Sequence, residues 1–238
     1  MFTTLLGLTM TWLAPRYVMP LFLKFTPMDD GPLKRAILSL AERLQFPVRE
    51  LFVVDGSRRS AKANAFFTGV GRNRRIALYD TLLEKHEEQE ILAVLAHEIG
   101  HAKLGHVPRM FLLASAQSGL MFTALHFALN DPDLFAAFQA GPPQVAMGLV
   151  LFSMVWKPAG VLLDLLHGRL SRRHEFEADA YSAQAMGGPG ALMAALKRLS
   201  RDHLSHLTPH PWFVALHHSH PPVLARLEAL KGQGSAGS

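Results

Sequence analysis

The residues of this chain that could do chemistry are concentrated in one motif, His97-Glu98-Ile99-Gly100-His101, which follows the apolar residues 91–96. The apolar residues and good helix formers before the motif predict that it lies within a helix. Two histidines four residues apart then lie about 40° apart on one helix face, separated by one turn. This geometry lets two neutral imidazoles bind one Zn²⁺, and Glu98 could accept a proton from a water beside the metal. The motif predicts a zinc hydrolase site, with a chance match among 13 His as the alternative.

The composition limits both the ligands and the surroundings of such a site. The chain has no Cys, so any zinc must be bound by His and carboxylate side chains. Hydrophobic residues make up 49% of the chain and charged residues 18%, which is too apolar for a purely soluble enzyme. The net charge is +5, but the basic residues are scattered and flank apolar runs. That pattern fits anionic lipid headgroups better than nucleic acid, so we expect membrane lipid and no nucleic acid as a partner.

Three apolar stretches are long enough to cross a bilayer. Residues 110–129 contain no Asp, Glu, Lys or Arg, whereas residues 145–166 include Lys157 and Asp164. The third stretch covers residues 2–23 and is interrupted by a Pro-Arg pair. The alternative for each stretch is a buried helix in the core of the protein.

The charges of the connecting segments predict an orientation. The segment 130–144 has two Asp and no Lys or Arg, while basic residues lie beyond the other ends of both spans. The positive-inside rule then places residues 24–109 and 168–238 in the cytoplasm and residues 130–144 outside. Both parts of the chain that could share a metal therefore lie on the cytoplasmic face.

A small sheet is predicted between the apolar stretch 2–23 and the zinc motif. Residues 51–54 and 75–79 are β-prone and are bounded by turn residues, and residues 32–44 have the pattern of an amphipathic helix. A sheet packed beside the zinc helix would offer an edge on which an extended peptide could form main-chain hydrogen bonds.

A catalytic zinc needs a third protein ligand, and the elongated motif HExxHxxGxxH does not supply it here. Gly105 and His106 each miss the required position by one residue. On a continuous helix His106 lies about 140° from His101, so we interpret His106 as a helix-end residue.

A second helix after residue 170 offers the other common solution, a Glu ligand. Glu175 and Asp179 are spaced i,i+4 and share a face, while Glu177 points about 200° away from Glu175. Glu175 could face the zinc, Asp179 could orient a ligand or pair with Arg, and Glu177 is interpreted as a solvated charge. The alternative is that all three are ordinary surface acids on an Arg-rich helix.

With these residues identified, the chain resembles the type I CAAX prenyl endopeptidases, which are integral-membrane zinc proteases of the gluzincin type. Five blocks carry the resemblance, in the same order and at similar spacing: residues 64–69 (NAFFTG), 77–83 (ALYDTLL), 93–106 (AVLAHEIGHAKLGH), 171–179 (SRRHEFEAD) and 219–230 (SHPPVLARLEAL). The resemblance implies that one zinc per chain is bound by His97, His101 and Glu175, with Glu98 as general base and then acid.

The resemblance also implies roles for residues around the metal. Asn64 would hold the substrate backbone, and His220 would stabilise the oxyanion. Arg226 would pair with Asp179 and support the site. The other histidines near His220, such as those at positions 203, 206 and 217, are interpreted as surface or packing residues.

The chain departs from this family in length, since the family usually has about twice as many residues and seven spans. Either the chain is a gene fragment that lacks four helices, or a partner polypeptide or further copies of the chain complete the helical chamber. We expect a membrane-embedded zinc metalloendopeptidase acting on a peptide or protein substrate, which would be prenylated if the host prenylates proteins. The alternatives are a quality-control membrane metalloprotease of the same superfamily and an inactive, truncated membrane scaffold.

The predicted fold is a mainly α membrane protein, with transmembrane helices and a gluzincin-like core that includes a small β-sheet. The predicted segments are a transmembrane segment (1–25), a cytoplasmic protease core with the HExxH helix (26–109), a transmembrane hairpin (110–167), a second core half with the Glu ligand (168–230) and a flexible tail (231–238).

The absence of Cys makes the predicted topology testable with single cysteine probes. Cysteines introduced at Asp133 and at Ser200 are expected to react with an impermeant thiol reagent from opposite sides of the membrane. Labelling from the same side, or extraction of the protein by alkaline carbonate, would contradict the topology.

Overall fold

The structure is a computed structural model that describes residues 19–58, 63–69, 74–202, 204 and 206–235. Most of the predicted segment 1–25 and the last three residues of the tail lie outside the described residues. Within them the chain is mainly helical with one small sheet, which confirms the predicted fold class. In chain order the helices are α1 (Met19–Phe22), α2 (Pro32–Arg43), α3 (Asp80–Lys85), α4 (Glu88–Lys103), α5 (His106–Asn130), α6 (Pro132–Ala137), α7 (Val145–Ala185), α8 (Gly190–Asp202), α9 (Pro211–His217) and α10 (Val223–Ser235).

One mixed sheet precedes the zinc motif, as expected. Its described strands are β1 (Phe25–Pro27), β2 (Glu50–Val54), β3 (Ala65–Thr68) and β4 (Arg75–Tyr79), in the spatial order β1-β2-β4-β3. The two central strands are parallel, and each outer strand is antiparallel to its neighbour. Among the described residues β3 is therefore an edge strand, and it packs against α4.

The main core lies between this sheet, α2 and α4, and it fixes the helix that carries the zinc motif. Ile37 of α2, Ile76 and Leu78 of β4, and Leu95 of α4 expose at most 1% of their surface. The predicted amphipathic helix is confirmed as α2, whose buried face is part of this core. Burying each such side chain stabilises the fold by about 1.5–3 kcal/mol, so the position of α4 is well determined.

Two helices are long and apolar enough to cross a membrane, namely α5 and α7. Their most apolar windows are 0% and 6% buried inside the protein, whereas a core helix would be mostly buried. Asp164 of α7 accepts a hydrogen bond from Gln117 of α5 at 3.4 Å, so this acid lies between the two helices.

Helix α7 is continuous across the predicted boundary at residue 167. Its 41 residues span about 62 Å at 1.5 Å per residue, about twice the thickness of a bilayer core. The first half is the apolar span, and the second half carries Glu175 and Asp179 into the protease core. One helix therefore connects the membrane segment to the candidate ligand.

Close packing of α4 against α7 brings the two halves of the site together. A Cβ at Gly100 would lie 3.3 Å from Cα of Ala178 and 3.1 Å from a ring carbon of Tyr181, so the motif glycine permits this approach. Ser182 of α7 donates a buried hydrogen bond of 2.7 Å to the carbonyl oxygen of Ala93, one turn before His97.

Ser200 is not a suitable position for a cysteine probe. Ser200 is only 6% exposed in α8, so a reagent would not reach it. Arg201, the next residue, is exposed and takes the probe instead.

Replacing Gly100 by Val should force α4 and α7 apart, because the added methyl groups meet backbone and ring atoms. We expect a loss of about 1–3 kcal/mol in stability, as for other overpacked helix contacts, and weaker metal retention. Gly119→Val in α5 is the matched control, since nothing lies within 4 Å of a Cβ there. Thermal unfolding and metal analysis in detergent would measure both variants. Equal stability of the two would contradict this account of the motif glycine.

Candidate metal centre

The three predicted ligands converge at the contact between α4 and α7. The Nε2 atoms of His97 and His101 lie 3.1 Å apart. The Glu175 carboxylate lies 3.7 Å from Nε2 of His97 and 3.4 Å from Nε2 of His101. The first of these distances is to Oε2 and the second to Oε1 of Glu175. Ligands bound to tetrahedral zinc at 2.0–2.2 Å are separated by about 3.3–3.6 Å, so the donor atoms lie about as close together as one zinc requires. Two imidazoles and one carboxylate are also a donor set that catalytic zinc uses.

Glu98 lies on α4 beside both histidines and is partly buried. Burial raises the pKa of Glu98, and the Glu175 carboxylate adds to this effect, although the charges of the two histidines and Arg226 oppose it. A carboxylate with a raised pKa is a better proton acceptor near neutral pH than an ordinary Glu.

Arg226 of α10 lies between the two carboxylates of α7. Its Nε and Nη2 atoms donate hydrogen bonds of 2.7 and 2.5 Å to Asp179, and its Nη1 lies 3.2 Å from Glu175.

Burial alone would raise the pKa of Asp179, but the hydrogen bond from Arg226 and the contact with His97 lower it. Burial would likewise raise the pKa of Glu175, but the neighbouring side chains of His101 and His220 and the charge of Arg226 lower it. Both acids are therefore ionised.

Each of the two candidate ligand histidines has a polar side chain close to its second ring nitrogen. Nδ1 of His97 lies 2.9 Å from Asp179, a carboxylate that can hold the ring in one tautomer. Nδ1 of His101 lies 3.0 Å from Nδ1 of His106. Nε2 of His106 lies in turn 3.1 Å from Glu177.

The sequence interpretation missed this second connection. Glu177 is not a simply solvated charge, because its carboxylate contacts His106 and accepts a hydrogen bond of 2.8 Å from Arg173. His106 does begin a helix, α5, as predicted, but it is 2% exposed and contacts His101. The angle of 140° assumed a continuous helix, whereas the chain leaves α4 after Lys103 and turns at Gly105, which has a φ of 69°. A Gly near the end of the motif was the signal that could have indicated this turn.

His220 reaches the site from the segment between α9 and α10. Its Nδ1 lies 2.9 Å from Glu175, and its side chain is 67% exposed, so Nε2 remains accessible. The hydrogen bond to Glu175 raises the pKa of His220. Arg172 of α7 donates to the carbonyl oxygens of Val214 and His218, at 3.2 and 2.6 Å, and so holds the segment before His220 against α7.

The remaining predicted residues lie outside the ligand cluster. Asn64 is exposed directly before β3, where its Oδ1 accepts a hydrogen bond of 2.9 Å from the backbone of Ala65. His206 and His217 are exposed, as expected for surface histidines, while position 203 lies outside the described residues.

The charges of the cluster suit a divalent cation. The three carboxyl groups of Glu98, Glu175 and Asp179 share one guanidinium, that of Arg226, so acidic groups outnumber the permanent cations of the cluster. A bound Zn²⁺ would offset this excess of acidic groups, and the residues present therefore fit this metal in charge, donor type and spacing.

Comparisons with known proteins agree with this geometry. The profile of peptidase family M48 matches residues 27–233. The chain is 41% identical over 231 residues to the CAAX prenyl protease 1 homolog of Oryza sativa subsp. japonica, covering 97% of this chain and 54% of that protein. It is 34% identical over 271 residues to the CAAX prenyl protease 1 homolog of Homo sapiens, covering 97% and 57%.

A solved structure extends the comparison to three dimensions. The crystal structure of S. mikatae Ste24p matches with a TM-score of 0.86 at 34% identity, covering 96% of this chain and 57% of that chain. The resemblance drawn from the five sequence blocks is thus confirmed. The chain spans about half the length of the curated relatives it matches.

Replacing Arg226 by Ala should remove the guanidinium that two buried carboxylates share, and breaking a buried ion pair typically costs about 3–5 kcal/mol. Arg226→Lys keeps the charge but loses the two-pronged hydrogen bonding, so we expect an intermediate loss. Arg58→Ala removes an exposed ion pair with Asp55 and is the control, with a change below about 1 kcal/mol. Thermal unfolding in detergent would rank the three variants. An Arg226→Ala protein as stable as Arg58→Ala would show that the buried pair does not stabilise the fold.

Proposed function

The chain belongs to peptidase family M48, and from this premise we propose that it hydrolyses peptide bonds as a membrane-embedded zinc metalloendopeptidase. The observation that carries the proposal is the convergence of His97, His101 and Glu175 beside Glu98. When bound, zinc supplies Lewis-acid activation of the scissile carbonyl and of the attacking water. The proposal assigns the three converging residues as zinc ligands, with one zinc per chain.

In this proposal Glu98 moves the proton. It accepts a proton from the water that attacks the scissile carbonyl, and it returns a proton to the leaving amine. The raised pKa of Glu98 supports this double role, because it makes the carboxylate a stronger proton acceptor than an ordinary Glu.

We assign His220 to the developing oxyanion. Its Nδ1 is engaged by Glu175, so Nε2 is the atom that can donate a hydrogen bond to the carbonyl oxygen of the substrate. The exposed position of the ring at the edge of the cluster supports this role, as does the raised pKa that favours a protonated imidazole.

We place the substrate backbone along β3. This strand packs against α4 and, among the described residues, has a free edge to which an extended peptide can add as a further strand. Asn64 at the start of β3 would donate its side-chain amide to the peptide.

The proposed substrates are membrane-associated polypeptides, with a prenylated C-terminal tail as the first class to test. The relatives named CAAX prenyl proteases suggest this class, and the exposed apolar surfaces of α5 and α7 would accommodate the lipid. We further propose that the site faces the cytoplasm, since the acidic segment 130–144 lies at the other ends of both helices. Membrane lipid and a further polypeptide, or a second copy of this chain, are the proposed neighbours of these helices.

A membrane scaffold without catalysis is the second candidate. The two candidates differ in peptide turnover by the purified protein.

Glu98→Gln should keep zinc and lose hydrolysis, because the change removes the proton acceptor and leaves every ligand in place. We expect a fall in kcat of about 10²–10⁴-fold, the usual contribution of a general base. Glu88→Gln, an exposed position on the same helix, is the matched control and should cleave normally. Zinc analysis and cleavage of a fluorogenic peptide in liposomes would measure both.

The assay should use paired peptides with and without a prenylated cysteine near the C-terminus. Cleavage of the prenylated peptide alone supports the CAAX class, and equal cleavage of both supports a quality-control protease. A Glu98→Gln protein that cleaves at the wild-type rate would remove Glu98 from the mechanism. A wild-type protein that binds zinc and cleaves neither peptide would favour the scaffold.

A further inference from the structure

A chain of polar contacts leads from the candidate ligand His101 to the protein surface. His101 contacts His106 through Nδ1 atoms 3.0 Å apart, and His106 contacts Glu177 through Nε2 at 3.1 Å. Glu177 then accepts a hydrogen bond of 2.8 Å from Arg173. His106 is buried, whereas the Glu177 side chain is 32% exposed, so the chain runs from the site outward.

The hydrogen-bonding rules allow one arrangement of protons when both histidines are neutral. A neutral imidazole has one N–H and one lone pair, and His101 must present the lone pair of Nε2 to bind a metal. Its proton is then on Nδ1 and needs an acceptor, which the lone pair of Nδ1 on His106 provides. The proton of His106 is consequently on Nε2, where it is donated to the carboxylate of Glu177.

The same residues could be taken for a second metal site, since His106, His174 and Glu177 bring ligand atoms within 4.8 Å of one another. Two features argue against it. The rings of His106 and His174 are stacked, with centroids 4.0 Å apart and planes within 7° of parallel. A metal bonded in the plane of one ring at about 2.1 Å would lie more than about 3 Å from the plane of the other. In addition, both nitrogens of His106 already have partners.

We propose that His106 is a positioning residue that fixes the tautomer and the ring orientation of His101 and transmits to it the charge of Glu177. This inference rests on the proposed zinc-ligand role of His101. Under this proposal each of the two candidate ligand histidines is oriented by a carboxylate. Asp179 acts on His97 directly, while Glu177 acts on His101 through an intervening imidazole.

The surrounding structure holds His106 in the orientation that this role needs. The turn at Gly105 brings the residue back towards α4, and the stacked ring of His174 restricts rotation of the imidazole. Partners of metal-bound histidines typically change metal affinity by 10–100-fold when they are removed.

The test compares two replacements of nearly equal shape. His106→Asn places an amide oxygen close to the position of Nδ1 and can still accept from His101, whereas His106→Leu cannot. We expect His106→Leu to weaken zinc binding by about 10–100-fold in competition with a chelator, and His106→Asn to restore most of the affinity. A zinc affinity of His106→Leu within twofold of the wild type would overturn the proposal, as would equal losses in both variants.

A second pair of variants avoids any change in the core. Glu177→Gln should weaken zinc binding, though by less than His106→Leu, because the amide oxygen accepts the hydrogen bond without the charge. Glu84→Gln, at an exposed position in α3, removes the same charge elsewhere and should leave the affinity unchanged. Equal affinities of Glu177→Gln and Glu84→Gln would contradict a role for the Glu177 charge.

The tautomer can be measured without metal, which separates this inference from the proposed function. Nitrogen-15 NMR of histidine-labelled, metal-free protein should show His101 with its proton on Nδ1, and His106→Leu should shift it towards a mixture of tautomers. If the wild-type protein binds no zinc, the proposed function fails, while the NMR experiment still tests whether His106 fixes the tautomer of His101. If zinc binds and the tautomer of His101 is the same in His106→Leu, the proposed role of His106 is wrong and the proposed zinc site stands.

Discussion

The ion pair between Arg226 and Asp179 is the interaction on which the rest of the site depends. Asp179 and Glu175 lie one turn apart on α7, and two buried carboxylates at that distance would not both stay ionised without a cation between them. Arg226 binds both acids, so Glu175 can act as a ligand and Asp179 can hold His97. Because Arg226 comes from α10, the last described helix is part of the metal centre and not an appendage to it.

The length of α7 connects this centre to the membrane. The helix enters the core without a break, so the depth and rotation of its apolar half determine where Glu175 lies relative to α4. Two features fix the packing of α4 against α7. Gly100 permits a close approach of the two helices, and Ser182 forms a buried hydrogen bond between them. One candidate ligand thus lies on the helix with the long apolar half, and the other two lie on a helix of the core.

The sequence predicted those parts of the structure that depend on local periodicity. The motif helix, the amphipathic α2, strands β2 and β4 and the two long apolar helices all follow from patterns within a few turns of chain. Strands β1 and β3 were missed because each has only three or four residues and depends on its neighbours for pairing. The link from His101 to Glu177 was missed because helical angles hold only along one helix, and Gly105 ends that helix. The approach of α10 to α7 came from the family resemblance, since no local pattern predicts a contact over 47 residues.

The different support of the two ligand histidines follows from the charge that the site can tolerate. Asp179 can contact His97 directly because Arg226 neutralises it. A second buried carboxylate placed directly against His101 would have no such cation, and its charge would raise the pKa of Glu98 further. A protonated carboxyl group cannot accept a proton from water. An imidazole between His101 and Glu177 lets the carboxylate lie near the surface, where Arg173 and water stabilise its charge. In our proposal, His106 thus orients the candidate ligand His101 without placing a further charge directly beside Glu98, the proposed general base.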